Sequence, residues 1–380
     1  MAEPSSAAMR LAWHYENPMA QALEAQRAGV PVLGITSNTI PWELARAAGF
    51  FPVMLRRNGR IFPAADEYME TNVFQARIRG IFDGVVRGDW DFLRGVLIPR
   101  TSEQEYKLFL YLREVARERS RDGMPPVYLY DLLHSRSPES HAYGLDRTRD
   151  LKKQLEETSG RPVGANALRE AVAESNSARA AARRLLRLRD GSPRLSGTEA
   201  LRLTGAYWFM SRAEFAKLAL EAAENLEGRE ALPGARLLVK GAPLDGVGLH
   251  AELETHGAIV VAEDDWWGAR SAGRDIDSGT DLLEAIFEHY YSEAPSPRVF
   301  PAEDADKWFE TRVTDGIDGV VFYMPAEDYV TGWDYPRQKR FLDHTGIPSM
   351  VVRDDAGAGE LSLEAHKCID RFVRETAQRR

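Results

Sequence analysis

Along the first third of the chain, short apolar runs alternate with stretches whose apolar positions recur every three or four residues. Runs at 30–34, 51–55, 95–98 and 127–132 read as short buried strands. Between them, Asn17-Pro18 and Pro41 open helices that Gly29 and Gly49 close, and a longer helix is predicted over 71–86. Ser102 and Glu105 have the spacing of a capping box for a helix reaching about residue 120. The middle changes character. Residues 166–189 are helical and rich in Ala and Arg, and the pairs Ser196/Glu199 and Ser211/Glu214 open two further helices. Alternation returns with strands at 235–240, 258–262, 319–323 and 347–352 and helices near 246–256, 280–291, 334–345 and 360–377. The proline-punctuated stretch 292–301 reads as a loop. Such alternation implies parallel sheets with helices on both faces. The pattern therefore predicts an α/β protein of two doubly wound parallel-sheet lobes, over 1–160 and 231–380, with a helical segment over 161–230 between them.

Composition narrows the function. A chain of 380 residues, 44% hydrophobic and 28% charged, can bury a sizeable core in two or more domains. Its net charge of −9 disfavours general nucleic-acid binding. No apolar run approaches the roughly 20 residues that span a bilayer, and the N-terminus lacks the apolar stretch of a signal peptide. The expectation is a cytoplasmic protein with no membrane or nucleic-acid partner. The single cysteine, Cys368, forms no internal disulfide and alone holds neither zinc nor an iron–sulfur cluster. Its spacing with Ala365, Ile369 and Phe372 predicts a buried packing residue. Phosphate-loop, H-E-x-x-H and G-x-S-x-G motifs are missing, and Gly246-Val247-Gly248 lacks the third glycine of a dinucleotide fingerprint.

What remains are loops at the carboxyl ends of predicted strands, where open parallel sheets place ligands. Ser102-Glu103 follows one strand, Asp264-Asp265-Trp266-Trp267 another, and the stretch 324–336 with Asp328 a third. Each also has a plain structural reading: Ser102 as a helix cap, the aspartates as a solvated turn, the tryptophans as cover for an apolar edge.

Taken together, longer stretches carry a resemblance. Ile40-Pro41-Trp42-Glu43-Leu44-Ala45, continuing through Ala47-Ala48-Gly49-Phe50-Phe51-Pro52-Val53, resembles the opening signature of the 2-hydroxyacyl-CoA dehydratase and benzoyl-CoA reductase family. There a Pro and an E-L pair precede A-A-G-x-x-P-V. Residues 168–179, with Asn176 and Arg179, are similar to the family's central helix; 260–270, Asp318-Gly319-Val320-Val321 and Gly346-Ile347-Pro348 are similar to its carboxyl half.

The resemblance implies two packed α/β lobes paired as a heterodimer. Strand-end cysteines hold a [4Fe–4S] cluster near the thioester of an acyl-CoA, and a separate ATP-hydrolysing activator supplies the electron. Here those cysteine positions are filled by Ser102, by Trp266 or Trp267, and by Asp328, which substitute poorly for thiolates. The implied protein is a subunit that binds no cofactor of its own. The cluster is expected on a homologous partner and ATP on the electron-donor subunits. Pro99-Arg100-Thr101-Ser102-Glu103 and Gly332-Trp333-Asp334-Tyr335-Pro336 are more similar to a benzoyl-CoA reductase subunit, which implies anaerobic reduction of an aromatic acyl-CoA. A 2-hydroxyacyl-CoA dehydratase subunit, a non-catalytic scaffold or regulatory relative, and a stand-alone enzyme with a divalent metal on Asp264, Asp265 and Asp328 are the alternatives.

Ser102, Glu103, Trp266, Trp267 and Asp328 are expected to line a substrate-binding or partner-facing pocket where a cluster would sit. Arg136 is expected to bind a CoA phosphate. His134 is the candidate proton donor, or binds a CoA phosphate together with Arg136, with a structural hydrogen bond as its other reading. Trp208, Trp266, Trp267 and Trp333 are expected to mark an exposed apolar interface.

Overall fold

Two runs of four short, β-branched strands each build a wholly parallel sheet. The computed structural model describes residues 6–57, 59–119, 123–265, 267, 272–279, 281–356 and 361–379. The first sheet holds β1 (Val32–Ile35), β2 (Phe51–Met54), β3 (Gly95–Pro99) and β4 (Val127–Tyr130) in the order β2-β1-β3-β4. The second holds β5 (Ala235–Gly241), β6 (Ala258–Asp264), β7 (Gly319–Tyr323) and β8 (Ser349–Val352) in the order β6-β5-β7-β8. β1, β3 and β7 are buried along their whole length, as expected for strands covered on both faces. In each sheet the chain steps outward from the first strand and then reverses, so the reversal lies between β1 and β3 and again between β5 and β7. The fold is the doubly wound α/β architecture in two lobes.

Local sequence sets most helix starts. The Ser102 hydroxyl accepts from the Glu105 N–H at 3.3 Å while the Glu105 carboxylate accepts from the Ser102 N–H at 3.1 Å, closing the box that opens the helix Glu103–Arg119. Ser196 and Glu199 form a second complete box. Ser211 also caps its helix, but the Glu214 side chain turns away to Arg10 and Gln21. Asn17-Pro18 separates the helices Ala7–Glu16 and Ala20–Arg27 rather than starting one. The helix expected over 71–86 begins at Ala76, after a separate helix Pro63–Tyr68. Helices Pro138–Ser159 and Ala302–Thr314 lack a strong apolar stripe and were not predicted; the first buries only Ser140, Gly144, Thr148, Leu151 and Leu155.

Burial is shared differently from sequence order. The helices Ala165–Arg187, Gly197–Gly205 and Arg212–Leu226 pack into the core of the first sheet. Trp267, Ile276, Ile286 and Phe287, assigned by sequence to the carboxyl-terminal lobe, join that same core. The second sheet lies between one cluster with Leu237, Leu249 and Phe372 and another with Leu238, Phe309 and Leu342.

Two expectations are corrected here. Cys368 is half-buried rather than buried: the centre of the inward face of the helix Leu363–Gln378 is Ile369, Phe372, Val373 and Thr376, which leaves Cys368 on its flank. Trp208 and Trp267 are buried, at 7% and 0% exposure, so they form no exposed interface. Trp333 is exposed at 84%, and Trp266 lies outside the described residues. Among the described residues no helix is long and apolar enough to cross a membrane.

Candidate functional site

Both reversal points open onto one cleft. Ser37 beyond β1, Thr101 and Ser102 beyond β3, Ala242 beyond β5 and Asp328 beyond β7 line a cavity of ≈ 360 Å³ between the lobes. This is the position that strand-order reversal selects for a ligand in an open α/β sheet. Gly241 ends β5 with φ +140°, where a Cβ would collide with the Tyr323 carbonyl of β7. Only glycine lets β5 turn into the cleft at that point.

The first-lobe wall is a hydroxyl-rich rim. The Thr39 and Thr101 hydroxyls meet at 2.5 Å, the Ser296 hydroxyl donates to the Thr101 carbonyl at 3.0 Å, and Asn38 Nδ2 donates to the Pro295 carbonyl at 2.9 Å. These bonds fasten the 295–298 loop over the end of the first sheet. Burial pushes the Glu105 carboxyl up, and Arg77 at 3.7 Å opposes the rise.

The second-lobe wall is acidic. Lys240 at the end of β5 pairs with Asp264 at the end of β6. Asp265 accepts from the Trp267 N–H at 2.9 Å, and Asp328 accepts from the Thr331 N–H at 3.2 Å, capping the helix Tyr329–Thr345. Among the described residues, seven carboxylates and three cations line the cleft.

Polar contacts tie the walls together. Gln104 Nε2 donates to the Glu327 carbonyl at 3.0 Å. Arg57 Nε lies 3.2 Å from Asp245, its terminal nitrogens donate to Asp355 at 2.7 and 2.6 Å, and Arg77 Nε reaches Asp245 at 3.5 Å. Burial pushes the Asp245 carboxyl up against the pull of Arg77 and Arg57.

Ser102, Glu103 and Asp328 thus share one cleft. Of the other expected residues, Trp267, Arg136 and His134 do not join them, and Trp266 lies outside the described residues. Trp267 is fully buried with its ring 5.8 Å from Phe209. Arg136 donates to the carbonyls of Tyr291 and Ser292 and lies over the Tyr291 ring at 4.8 Å, so its guanidinium serves the fold rather than a phosphate. His134 is 3% exposed and lies outside the cleft lining. Burial, with Arg136 and Arg298 nearby, lowers its pKa to about 3, so at neutral pH it is an uncharged ring and a poor acid. Among the described residues neither ring nitrogen has a hydrogen-bond partner, so the structural bond expected of it is not seen there either. Sequence reasoning passed over Lys240, Arg77 and Gln338, although a lysine closing an apolar strand was a visible signal for the first.

The donor set decides what the cleft can hold. A [4Fe–4S] cluster is held by thiolates, and the cleft offers hydroxyls, carboxylates and amines. Cys368, the only cysteine in the sequence, lies on the helix Leu363–Gln378 with Sγ 3.6 Å from Glu364. The cleft residues do not fit such a cluster. Among the described residues no group of His, Cys, Asp or Glu is arranged to hold a metal ion, so Asp264, Asp265 and Asp328 do not converge on one.

Fold and site together define a two-lobed, doubly wound α/β protein with a cleft between the strand ends of its two sheets. The model of the 2-hydroxyglutaryl-CoA dehydratase D-component family matches residues 37–364, and the chain belongs to that family. It is 23% identical to subunit beta of (R)-2-hydroxyglutaryl-CoA dehydratase from Acidaminococcus fermentans, over 92% of this chain and 95% of the relative. It is 20% identical to the (R)-phenyllactyl-CoA dehydratase beta subunit of Clostridium sporogenes, over 90% of this chain and 91% of that one.

Proposed function

We propose that the chain is the cluster-free subunit of a heteromeric enzyme that dehydrates a 2-hydroxyacyl-CoA, contributing one wall of the acyl-CoA site. The observation that carries this reading is the interlobe cleft, which stands at both strand-order reversals yet presents no thiolate. Both relatives are named as beta subunits of CoA-ester dehydratases, which supports dehydration. Aromatic ring reduction, expected from 99–103 and 332–336, has no counterpart in those two names.

In this reading the chain's own residues bind and orient. Ser102 and Lys240 are donors at facing edges of the cleft, suited to a thioester carbonyl on which negative charge accumulates. The cluster belongs to a cysteine-bearing homologous partner, and ATP hydrolysis to a separate activator. Co-expression with such a partner tests this. We expect a stable complex that dehydrates 2-hydroxyacyl-CoA only when both chains and the activator are present. A chain that stays alone and binds no acyl-CoA in any combination contradicts the reading.

A further inference from the structure

A second cavity, of ≈ 640 Å³, opens beside the outer strand of the second sheet, where Val261 and Ala262 of β6 meet the helix Ala302–Thr314 and the last turn of the helix Ala165–Arg187. Its charge is opposite to that of the cleft. Among the described residues, six Arg and Lys side chains line it against four carboxylates, in a chain whose net charge is −9.

Not all of those cations are available. Arg189 is buried and bound to both oxygens of Glu263 at 2.5 and 2.9 Å, and Arg183 is held by the Ala272 and Gly273 carbonyls and by Asp275. Lys307 pairs with Asp304, and Arg274 faces Glu293 at 3.6 Å, which leaves Arg187 and Arg312 loosely engaged. Arg312 reaches Asp190 only at 4.0 Å, and its guanidinium lies 5.4 Å from the centre of the Trp308 ring. Arg187 is exposed and has no ion pair among the described residues. A half-buried indole beside arginines with spare donors combines a stacking face for a base with forks for phosphate oxygens.

Neighbouring residues of the chain line the groove and the cleft, which share no lining residue. Asp304 lines the one and Ala305 the other; Glu293 lines the one and Pro295 the other. We propose that this basic groove seats the phosphorylated nucleotide end of a CoA thioester whose acyl end lies in the interlobe cleft. The inference rests on the acyl-CoA reading above and adds a second subsite to it. It also resolves a difficulty of that reading, because a cleft with an excess of carboxylates repels phosphates and the groove does not.

The test is calorimetric titration of the full chain with acetyl-CoA, 3′,5′-ADP, S-acetylpantetheine and inorganic phosphate. Wild type is compared with Arg187→Glu/Arg312→Glu and with Lys153→Glu, a control at a site 76% exposed on the helix Pro138–Ser159. We expect acetyl-CoA and 3′,5′-ADP to bind wild type, and the double reversal to weaken both by about tenfold or more while the control does not. Affinity should fall with added salt. S-acetylpantetheine and phosphate should bind far more weakly than acetyl-CoA.

Equal acetyl-CoA binding by wild type and the double variant, both folded by circular dichroism, overturns the groove and leaves the acyl-CoA reading intact. Binding of 3′,5′-ADP without any binding of acetyl-CoA overturns both the proposal and the acyl-CoA reading on which it rests. No binding of any nucleotide overturns the proposal.

Discussion

Arg57 of the first lobe and Asp245 of the second are ion-paired at 3.2 Å, each side chain 4% exposed. The pair sits in a chain of charges that runs from Asp355 through Arg57, Asp245 and Arg77 to Glu105 at the cleft. Charges this buried favour the fold only while every partner is present. Asp245→Asn leaves two buried arginines under-compensated and should destabilise the protein by about 3–5 kcal/mol, read from urea or guanidinium unfolding. Arg57→Met combined with Asp245→Leu should lose less than the sum of the two single changes, since the residues touch.

A second buried pair gives a pH signature. Glu43, fully buried, accepts from Arg179 at 2.6 Å, Ser175 at 2.5 Å and Tyr290 at 2.8 Å. Burial alone would raise its pKa, but Arg179 and His289 with the Ser175 hydroxyl bring it from 4.5 down to about 2. A carboxylate with a depressed folded pKa adds stability above its unfolded pKa and loses it as pH falls through the folded one. Glu43→Gln should therefore be strongly destabilising at pH 7. Its deficit relative to wild type should shrink between about pH 4.5 and 2, measured by denaturant unfolding across that range.

The acidity of the cleft sets a preference among acyl groups. With seven lining carboxylates and three cations, a ligand that brings its own carboxylate meets like charge. Butyryl-CoA should bind about tenfold more tightly than succinyl-CoA in parallel titrations. Asp328→Asn should narrow that gap without unfolding the protein, because Asn caps a helix as well as Asp does. Equal affinities in wild type would remove the cleft charge from the account of specificity.

Much of this site was legible in the sequence, for a local reason. The Ser102/Glu105 box is written in residues three apart, and the strands β3, β6 and β7 begin as short apolar runs, so the loops at their carboxyl ends could be named in advance. What escaped depends on residues distant in sequence. Lys240 meets Asp264 across a strand pairing, and Arg57 meets Asp245 and Asp355 across the lobes. Trp267 was misread because an aromatic pair in a polar loop resembles a surface patch, whereas its ring is enclosed beside Phe209, more than fifty positions earlier in the sequence. Trp267, Ile276, Ile286 and Phe287 join the first core, which no periodicity around them announces.

The central claim is that this subunit takes part in acyl-CoA chemistry without a cluster of its own. The most direct measurement is iron and acid-labile sulfide per chain after anaerobic reconstitution of the purified protein. A cysteine-bearing family member should be treated identically beside it. The account predicts stoichiometric iron and sulfide in the cysteine-bearing chain and none in this one, with no visible absorption band. Stoichiometric iron and sulfide in this chain, retained after gel filtration, would contradict it.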